Sequence, residues 1–246
     1  MKTIGAISDI HGNIAALEAV AADLQKRGVD TVLNLGDHLS GPLWPKETIQ
    51  FLMQQQWVQI SGNHDRQIVH QDPRSHGLSD RFAFKVLSET EKDWLRALPS
   101  SIQLDEHVFI FHGTPASDSE YLLETVEHEG ARLASHFEVK QRLGTAKSPV
   151  MLCGHSHIQR IVQVDQNVVI VNPGSVGLPA YKDDSPQHHV MESGSPHARY
   201  SILQHHDTWT IELISIPYDY QRASERARKN NRPDWAHALQ TGYVTQ

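Results

Sequence analysis

The sequence feature that most constrains the fold is a short apolar run that ends in a glycine and a carboxylate. Val32 to Leu35 are predicted to form a buried strand, and Gly36 then allows the backbone to turn sharply. Asp37 is left at the carboxyl end of that strand, where open α/β sheets place their sites. The same order of apolar run, turn and metal-ligand residue type recurs at Ser8–His11, Ser61–Asp65, Phe111–Gly113 and Cys153–His157, with a partial match at Asn172–Gly174. Read as ligands, these residues offer carboxylate, imidazole and amide groups to two metal ions, which Asp37 would bridge.

The first part of the chain alternates strands and helices. Residues 4–7 form a strand, Asn13 caps a helix that Gly28 ends, and a second strand runs to Asp37. A short helix over 46–53 precedes a third strand over 57–60. This βαβαβ order predicts parallel strands joined by right-handed crossovers.

The remaining segments predict a mixed architecture. Residues 66–98 are predicted to be helical, with interruptions near 72–73 and 76–77, and Ser88 with Glu91 forms a capping box. Residues 120–143 suggest one long polar helix, and residues 178–198 a long mobile loop. Strands are predicted over 102–104, 108–111, 150–153, 158–164, 168–171, 199–203 and 209–216. We expect one domain over 1–246 with two facing sheets and a helical tail at about 218–246, whose second helix starts at Pro233.

Composition excludes several classes of protein. The formal charge of −7 argues against general nucleic-acid binding, which needs a basic face. An anionic substrate stays compatible with that charge, because bound divalent ions reverse its sign locally. No apolar run approaches the roughly 20 residues of a membrane span, and the N-terminus enters a strand rather than a signal peptide. The single cysteine, Cys153, fits a reducing compartment. We therefore expect a cytoplasmic protein with no membrane partner.

The motifs are specific in combination and in their order along the chain, although each is weak alone. They read Asp-x-His at 9–11, Gly-Asp at 36–37, Gly-Asn-His-Asp at 62–65, His-Gly at 112–113 and Gly-His-x-His at 154–157. In this respect the sequence resembles the calcineurin-like metallophosphoesterase superfamily, and the resemblance extends over roughly the first 216 residues. It implies an α/β fold, a four-layer αββα sandwich of two mixed β-sheets flanked by helices.

The resemblance also implies a role for each motif residue. The first metal would be held by Asp9, His11, Asp37 and His157. The second would be held by Asp37, Asn63, His112 and His155. His64 matches a histidine that protonates or stabilises the leaving group, and Asp65 the carboxylate that orients it. Two divalent or mixed-valence ions of manganese, iron or zinc fit these ligands, and their bridging hydroxide would attack phosphorus in line.

Within the superfamily, the sequence resembles the small bacterial phosphodiesterase branch. Ser40 and Gly41 stand where protein phosphatases and symmetrical diadenosine tetraphosphatases carry an aspartate and a phosphate-gripping arginine, and Gly-Pro at 41–42 is typical of the phosphodiesterase branch. The resemblance implies hydrolysis of phosphodiesters or nucleotide polyphosphates. The alternatives are a phosphomonoesterase, an asymmetric dinucleoside polyphosphate hydrolase and, less favoured because every ligand position is filled, a non-catalytic scaffold. Arg66, Tyr181 and Lys182 follow the motifs closely and are candidate contacts to a small phosphoester substrate, such as a nucleotide.

Overall fold

The computed structural model describes residues 2–128 and 130–245. Its strands, in chain order, are β1 (Lys2–Ile7), β2 (Thr31–Asn34), β3 (Val58–Gln59), β4 (Ser101–Gln103), β5 (Val108–Phe111), β6 (Glu124–Glu127), β7 (Gly130–Leu133), β8 (Val150–Leu152), β9 (Arg160–Asp165), β10 (Val168–Asn172), β11 (Ala180–Asp183), β12 (His189–Glu192), β13 (Ala198–His205) and β14 (Trp209–Ile216). Its helices are α1 (Ile14–Lys26), α2 (Pro45–Leu52), α3 (Asn63–His70), α4 (Leu78–Val86), α5 (Glu89–Arg96), α6 (His136–Leu143), α7 (Tyr220–Lys229) and α8 (Pro233–Thr241).

Two five-stranded mixed sheets form the centre of the fold. The first has the strand order β14-β13-β1-β2-β3, and the second has the order β4-β5-β8-β10-β9. The strands β1, β2 and β3 are parallel, as the βαβαβ order predicts. In the second sheet β5, β8 and β10 are parallel. All six of these strands therefore direct their carboxyl ends to one edge of their own sheet.

The sheets face each other across a dry core. Ile4 and Leu33 of the first sheet belong to the same buried apolar cluster as Ile110, Leu152 and Val171 of the second. Helices cover the outer faces. On the first sheet, α1 packs Leu17 and Val20 against Tyr200 and Ile202 of β13. On the second, α6 packs Val139 and Leu143 against Met151 and Ile170. The predicted αββα sandwich is confirmed.

Local signals placed several helix ends correctly. The Asn13 side chain accepts a hydrogen bond from the Ala16 amide at the start of α1. The region 66–98 is helical and interrupted as predicted, and Ser88 and Glu91 form the capping box of α5. The last helix begins at Pro233 and ends before Gly242, whose φ of 78° suits a glycine. No helix in the described ranges combines the length and apolar character needed to cross a bilayer.

The predicted long helix over 120–143 is wrong. Residues 124–127 and 130–133 form the antiparallel hairpin β6–β7, and only residues 136–143 are helical. Gly130 has a φ of 122°, which does not occur in a right-handed helix. Ser135 then starts α6, because its side chain accepts from the Glu138 amide while the Glu138 carboxylate accepts from the Ser135 amide.

The predicted loop over 178–198 is also wrong in part. It contains the antiparallel hairpin β11–β12, in which Tyr181 lies opposite Met191 and Asp183 opposite His189. Along β12, His189 and Met191 are buried while Val190 and Glu192 are exposed. That alternation of period two is typical of a strand with one covered face. The proline, serine and aspartate residues around it dominated the sequence pattern and hid the strand.

The helical tail docks against the loop that follows Asp37. Its helices α7 and α8 share an apolar cluster with Leu43 and Leu178, centred on Trp235 and Leu239. The Arg226 side chain donates to the Leu43 carbonyl at 3.0 Å. The tail is therefore packed beside the edge of the sheets where the motif residues lie.

Candidate metal centre

The carboxyl ends of five strands bring the motif residues together. Asp9 and His11 follow β1, and Asp37 follows β2. The others are Asn63 and His64 after β3, His112 after β5, and His155 and His157 after β8. Because the two sheets lie face to face, side chains from both converge on one point. There they form two groups, Asp9–His11–His157 and Asp37–His112–His155. Within each group, the candidate ligand atoms lie within 4.8 Å of one another.

Asp37 belongs to the second group and also reaches the first. Its Oδ2 is 3.3 Å from Nε2 of His112 in one group and 3.9 Å from Nε2 of His11 in the other. The Asn63 Oδ1 lies 3.1 Å from His112 Nε2. The geometry therefore places one carboxylate within reach of both groups and one amide beside the second.

Carbonyl groups behind the histidines set their tautomers. The Nδ1 atoms of His11, His112 and His157 each lie 2.7 Å from a backbone carbonyl, of Ser40, Leu35 and Leu178 respectively. A carbonyl can only accept, so each Nδ1 carries a proton and each ring directs its Nε2 inward. Hydrogen bonds of this kind are the usual support of metal-binding histidines.

The inward-facing atoms fit cations. His11 Nε2 and His157 Nε2 are 3.1 Å apart, so two lone pairs face each other when both rings are neutral. The buried Asp9 Oδ1 has no hydrogen-bond partner among the described residues. A set of acceptors without donors is unfavourable alone and is stabilised by a cation. Imidazole, carboxylate and amide ligands suit manganese, iron and zinc.

The electrostatics agree with this fit. Burial alone would raise the pKa of Asp9, but His157 and His112 outweigh it and lower that pKa to about 2. Burial lowers the pKa of His11 to about 4 and that of His155 to about 3, so both imidazoles stay neutral near pH 7. Burial also lowers the pKa of His112, but Asp37 and Asp9 outweigh it and raise that pKa to about 10. His112 therefore holds a proton that a bound cation would displace, because metal binding needs the neutral imidazole.

The backbone around the centre is held in unusual conformations. Asp9, His11, Asp37, His155 and His157 all have φ values between 51° and 68°. Residues other than glycine adopt this left-handed region rarely, and such conformations concentrate at functional sites. A close approach of two turns adds a second constraint, because a Cβ atom on Gly62 would collide with the Asp37 carboxylate. The Gly62 position therefore needs glycine.

The role predicted for Asp65 is not what the structure shows. Its buried carboxylate accepts from the amides of Asp37, His38 and Gly62 and from the His38 ring, at 2.7–3.0 Å. It therefore joins the turns after β2 and β3. The carboxylate that bonds His64 is Asp80 on α4, with Oδ1 2.8 Å from His64 Nδ1. Sequence reasoning missed Asp80, since an acidic residue in the first turn of a helix is unremarkable.

His64 faces an open pocket. Its amide donates to Asp37 Oδ1 at 2.9 Å, and its side chain is 34% exposed. Burial lowers the pKa of His64, but Asp37 and Asp80 outweigh it and raise that pKa to about 9. The ring can therefore carry a proton at neutral pH, within the same pocket as the metal-ligand candidates.

The pocket above the centre has a volume of about 720 Å³. Such a volume suits a small-molecule ligand. Tyr181 and Lys182 of β11 line it, as do Arg232 and Trp235 of the tail, which sequence reasoning did not connect to the site. The Tyr181 hydroxyl also donates to the His155 carbonyl at 3.2 Å, so this side chain supports a ligand loop as well as lining the pocket.

The structure places Arg66 elsewhere. Its guanidinium forms a two-pronged ion pair with Asp118 at 2.6 and 2.8 Å. It lines a separate cavity of about 300 Å³ on the other side of His112. The expected contact between Arg66 and substrate therefore finds no support in the pocket geometry.

Comparison with known proteins identifies the family. Residues 1–193 match the model of the calcineurin-like phosphoesterase superfamily domain. The chain belongs to this superfamily. The match contains every motif residue from Asp9 to His157, so the resemblance inferred from the motifs is confirmed.

Relatives match nearly the whole length of the chain. An uncharacterized protein of Methanocaldococcus jannaschii is 25% identical over 256 residues, which cover 94% of each chain. A metallophosphoesterase from Sphaerobacter thermophilus has a TM-score of 0.75 at 20% identity and covers 97% of this chain and 98% of its own. A hypothetical protein from Pyrococcus horikoshii OT3 also has a TM-score of 0.75, at 17% identity, with full coverage of both chains. The two structures share the fold, including the part formed here by the tail.

Proposed function

We propose that this phosphoesterase hydrolyses phosphodiesters or nucleotide polyphosphates with the help of two divalent metal ions. The observation that carries the proposal is the pair of carboxylate–histidine groups beside the pocket, with the Asp37 carboxylate 3.3 Å from a histidine of one group and 3.9 Å from a histidine of the other. The first ion would be held by Asp9, His11, Asp37 and His157. The second would be held by Asp37, Asn63, His112 and His155. When bound, such ions neutralise charge on phosphoryl oxygens and provide a hydroxide nucleophile at neutral pH.

The protein side chains would supply orientation and the proton. His64 lies in the pocket wall, hydrogen-bonded through Nδ1 to Asp80, so its Nε2 is the atom available to a substrate. In hydrolysis, the leaving oxygen gains negative charge as its bond to phosphorus breaks. A protonated His64 would donate to that oxygen, which is general acid catalysis. Asp80 would hold the ring in position and favour its charged form.

The charges near the centre favour diesters over monoesters. A monoester carries a terminal dianion, which proteins often bind with an arginine that forms two charge-assisted hydrogen bonds. Residues 38–41, after Asp37, contain no arginine, and Arg66 is engaged by Asp118. A diester has one fewer negative charge and needs no such contact. This difference supports the phosphodiesterase proposal.

The test is an activity assay with defined metals. The protein is stripped with a chelator, reloaded singly with manganese, iron or zinc, and assayed on bis-p-nitrophenyl phosphate and p-nitrophenyl phosphate. We expect activity to return with metal and kcat/KM to be higher for the diester. The Asp37→Asn variant, treated identically, controls for contaminating phosphatases. A clear preference for the monoester would overturn the diesterase assignment, and activity that resists chelation would overturn the metal requirement.

A further inference from the structure

Two cationic side chains on the pocket wall have no part in the chemistry proposed above. Lys182 comes from the hairpin β11–β12, and Arg232 comes from the start of α8 in the tail. Both line the main pocket and also a smaller cavity of about 130 Å³ between β11 and α8. These two side chains therefore border both cavities.

Hydrogen bonds hold the Arg232 guanidinium in place but do not use all of its N–H groups. Its Nε and Nη2 bond the Asp234 carboxylate at 2.7–3.2 Å, and its Nη1 donates to Ser79 Oγ at 2.9 Å. A guanidinium has five N–H groups, so one N–H remains on each terminal nitrogen. Asp234 balances part of its charge and fixes its orientation, and the unused N–H groups remain available to an acceptor.

Lys182 offers a less restrained charge. Its side chain is exposed, and no carboxylate among residues 2–128 and 130–245 forms an ion pair with it. The third cation on this wall, Arg142, is already engaged, because it donates to the carbonyls of Leu122 and Glu124 and to Thr125. The acidic residues Asp183 and Glu120 also line the pocket, so an incoming anion would find its favourable contacts at Lys182 and Arg232.

Arg232 lies on the His64 side of the pocket. Ser79, its hydrogen-bond partner, precedes Asp80, which bonds His64. The Arg232 Cζ atom is 5.5 Å from the Trp235 ring, and that ring is 5.9 Å from the His11 ring. Arg232 is therefore within about 11 Å of a metal-ligand candidate. A group bound there would belong to the part of the substrate that departs with the proton from His64.

We propose that Lys182 and Arg232 form a subsite for a phosphate group carried by the leaving group. The preferred substrate is then a diester or phosphoanhydride whose leaving group is itself phosphorylated, as in a nucleotide polyphosphate. This inference rests on the proposed function and narrows its substrate class. The hairpin β11–β12 and the tail would together determine specificity, while the motif residues perform hydrolysis.

A matched pair of substrates tests the subsite. Methyl 4-sulfophenyl phosphate and methyl 4-sulfamoylphenyl phosphate have leaving groups of similar shape, but only the sulfonate is an anion, and it ligates metals weakly. We expect the metal-loaded enzyme to prefer the sulfonate in kcat/KM. Lys182→Ala and Arg232→Ala should each lower kcat/KM for the sulfonate by about 10-fold to 100-fold, as for a lost hydrogen bond to a charged group. The sulfonamide should change by less than about threefold, since it lacks the charge.

Two control variants separate binding from structure. Arg228→Ala removes an exposed tail cation outside the pocket and should affect neither substrate. Ser79→Ala breaks the tie between Arg232 and α4 but keeps the guanidinium, so the sulfonate preference should persist. If Arg232→Ala lowers both substrates equally, or if Ser79→Ala reproduces its effect, Arg232 only positions α4 and the subsite proposal fails.

A binding measurement keeps the two proposals distinguishable. If the wild-type enzyme hydrolyses neither ester, the proposed function fails. Calorimetry with 4-hydroxybenzenesulfonate and 4-hydroxybenzenesulfonamide then tests the subsite alone. Tighter binding of the sulfonate that disappears in the Lys182→Ala/Arg232→Ala double variant supports the subsite. Equal binding of the two compounds, or a preference that survives both substitutions, overturns it.

Discussion

At the residue scale, Asp37 connects both halves of the candidate metal centre. Its Oδ2 faces histidines of both groups, while its Oδ1 accepts the amide of His64. One side chain therefore links metal binding to the position of the proposed acid. The residue is buried, so loss of its charge cannot be compensated by water.

Asp37→Asn is predicted to empty both metal positions together. Asparagine keeps the shape but removes the charge that would offset repulsion between two cations. Metal content measured by mass spectrometry should fall at both positions, and phosphoester turnover should fall to background. Asp207→Asn, in an exposed turn, is the control and should bind metal normally. Retention of one ion at full occupancy would argue against a bridging carboxylate.

His64→Ala is predicted to reduce turnover without removing metal. Because His64 is proposed as a proton donor rather than a ligand, two ions should stay bound while kcat falls by about 10²- to 10⁴-fold. The loss should be smaller with nitrophenolate than with alkoxide leaving groups, which need the proton more. His70→Ala, on the exposed end of the same helix, should have little effect. Equal losses for both kinds of leaving group would rule out the general acid role.

Asp80→Asn is predicted to act through His64. The carboxylate is buried and 2.8 Å from the ring, so its loss should lower kcat most for poor leaving groups. In the double variant with His64→Ala, the Asp80 change should cause almost no further loss, because coupled residues are non-additive. A full additional loss in the double variant would show that Asp80 acts independently of His64.

At the element scale, the region 120–143 shows how capping decides between a helix and a hairpin. A helix from residue 120 would place Ser119 at its N-cap, whereas the observed α6 uses Ser135. Gly130 begins β7 with a φ of 122°, which glycine adopts readily. The hairpin matters for the site, since Glu124 and Thr125 of β6 line the pocket.

Ser135→Ala is predicted to lower the free energy of unfolding by about 1 kcal/mol, the usual cost of losing an N-cap side chain. Ser119→Ala, in an exposed segment with no capping role, is the matched control and should change it by less than about 0.5 kcal/mol. Denaturant unfolding followed by circular dichroism measures both variants. A larger effect at Ser119 than at Ser135 would contradict the observed helix start.

At the scale of the whole molecule, the candidate metal centre draws its residues from both sheets. Asp9 and Asp37 come from the first sheet, and His112 and His157 come from the second. Ions bound there would cross-link the two sheets. The site exists only in the folded state, because only folding brings these residues together. Ligands that bind only the folded state stabilise it by mass action.

Removal of metal is therefore predicted to lower the melting temperature. At a metal concentration 100 times its Kd, one site contributes about 2.7 kcal/mol. In a chain of this size, that corresponds to roughly 5–10 °C. Calorimetry with and without chelator measures the shift, and readdition of metal should reverse it. Asp37→Asn is the control and should have the same Tm with and without chelator. A wild-type Tm that does not change with chelator would contradict the prediction.

The sequence by itself determined the two facing sheets and the set of candidate metal ligands. Both depend on local signals, because an apolar run followed by a turn fixes where a strand ends and which residue stands there. Parallel strands then bring those ends to one edge, so Asp9, Asp37 and His112 meet without further information. The family motifs made the same residues recognisable through their order along the chain.

The tertiary structure alone decided which groups surround that centre. Asp80 bonds His64 from 16 residues away, and Arg232 reaches the pocket from the far end of the chain. Neither belongs to a periodic pattern or a motif, so no local signal distinguishes it from a solvated side chain. The two hairpins were hidden for a related reason, since strand pairing depends on a partner, and a short polar segment does not reveal its partner. Long-range packing therefore decided which side chains line the pocket, whereas local sequence decided which candidate ligands meet beside it.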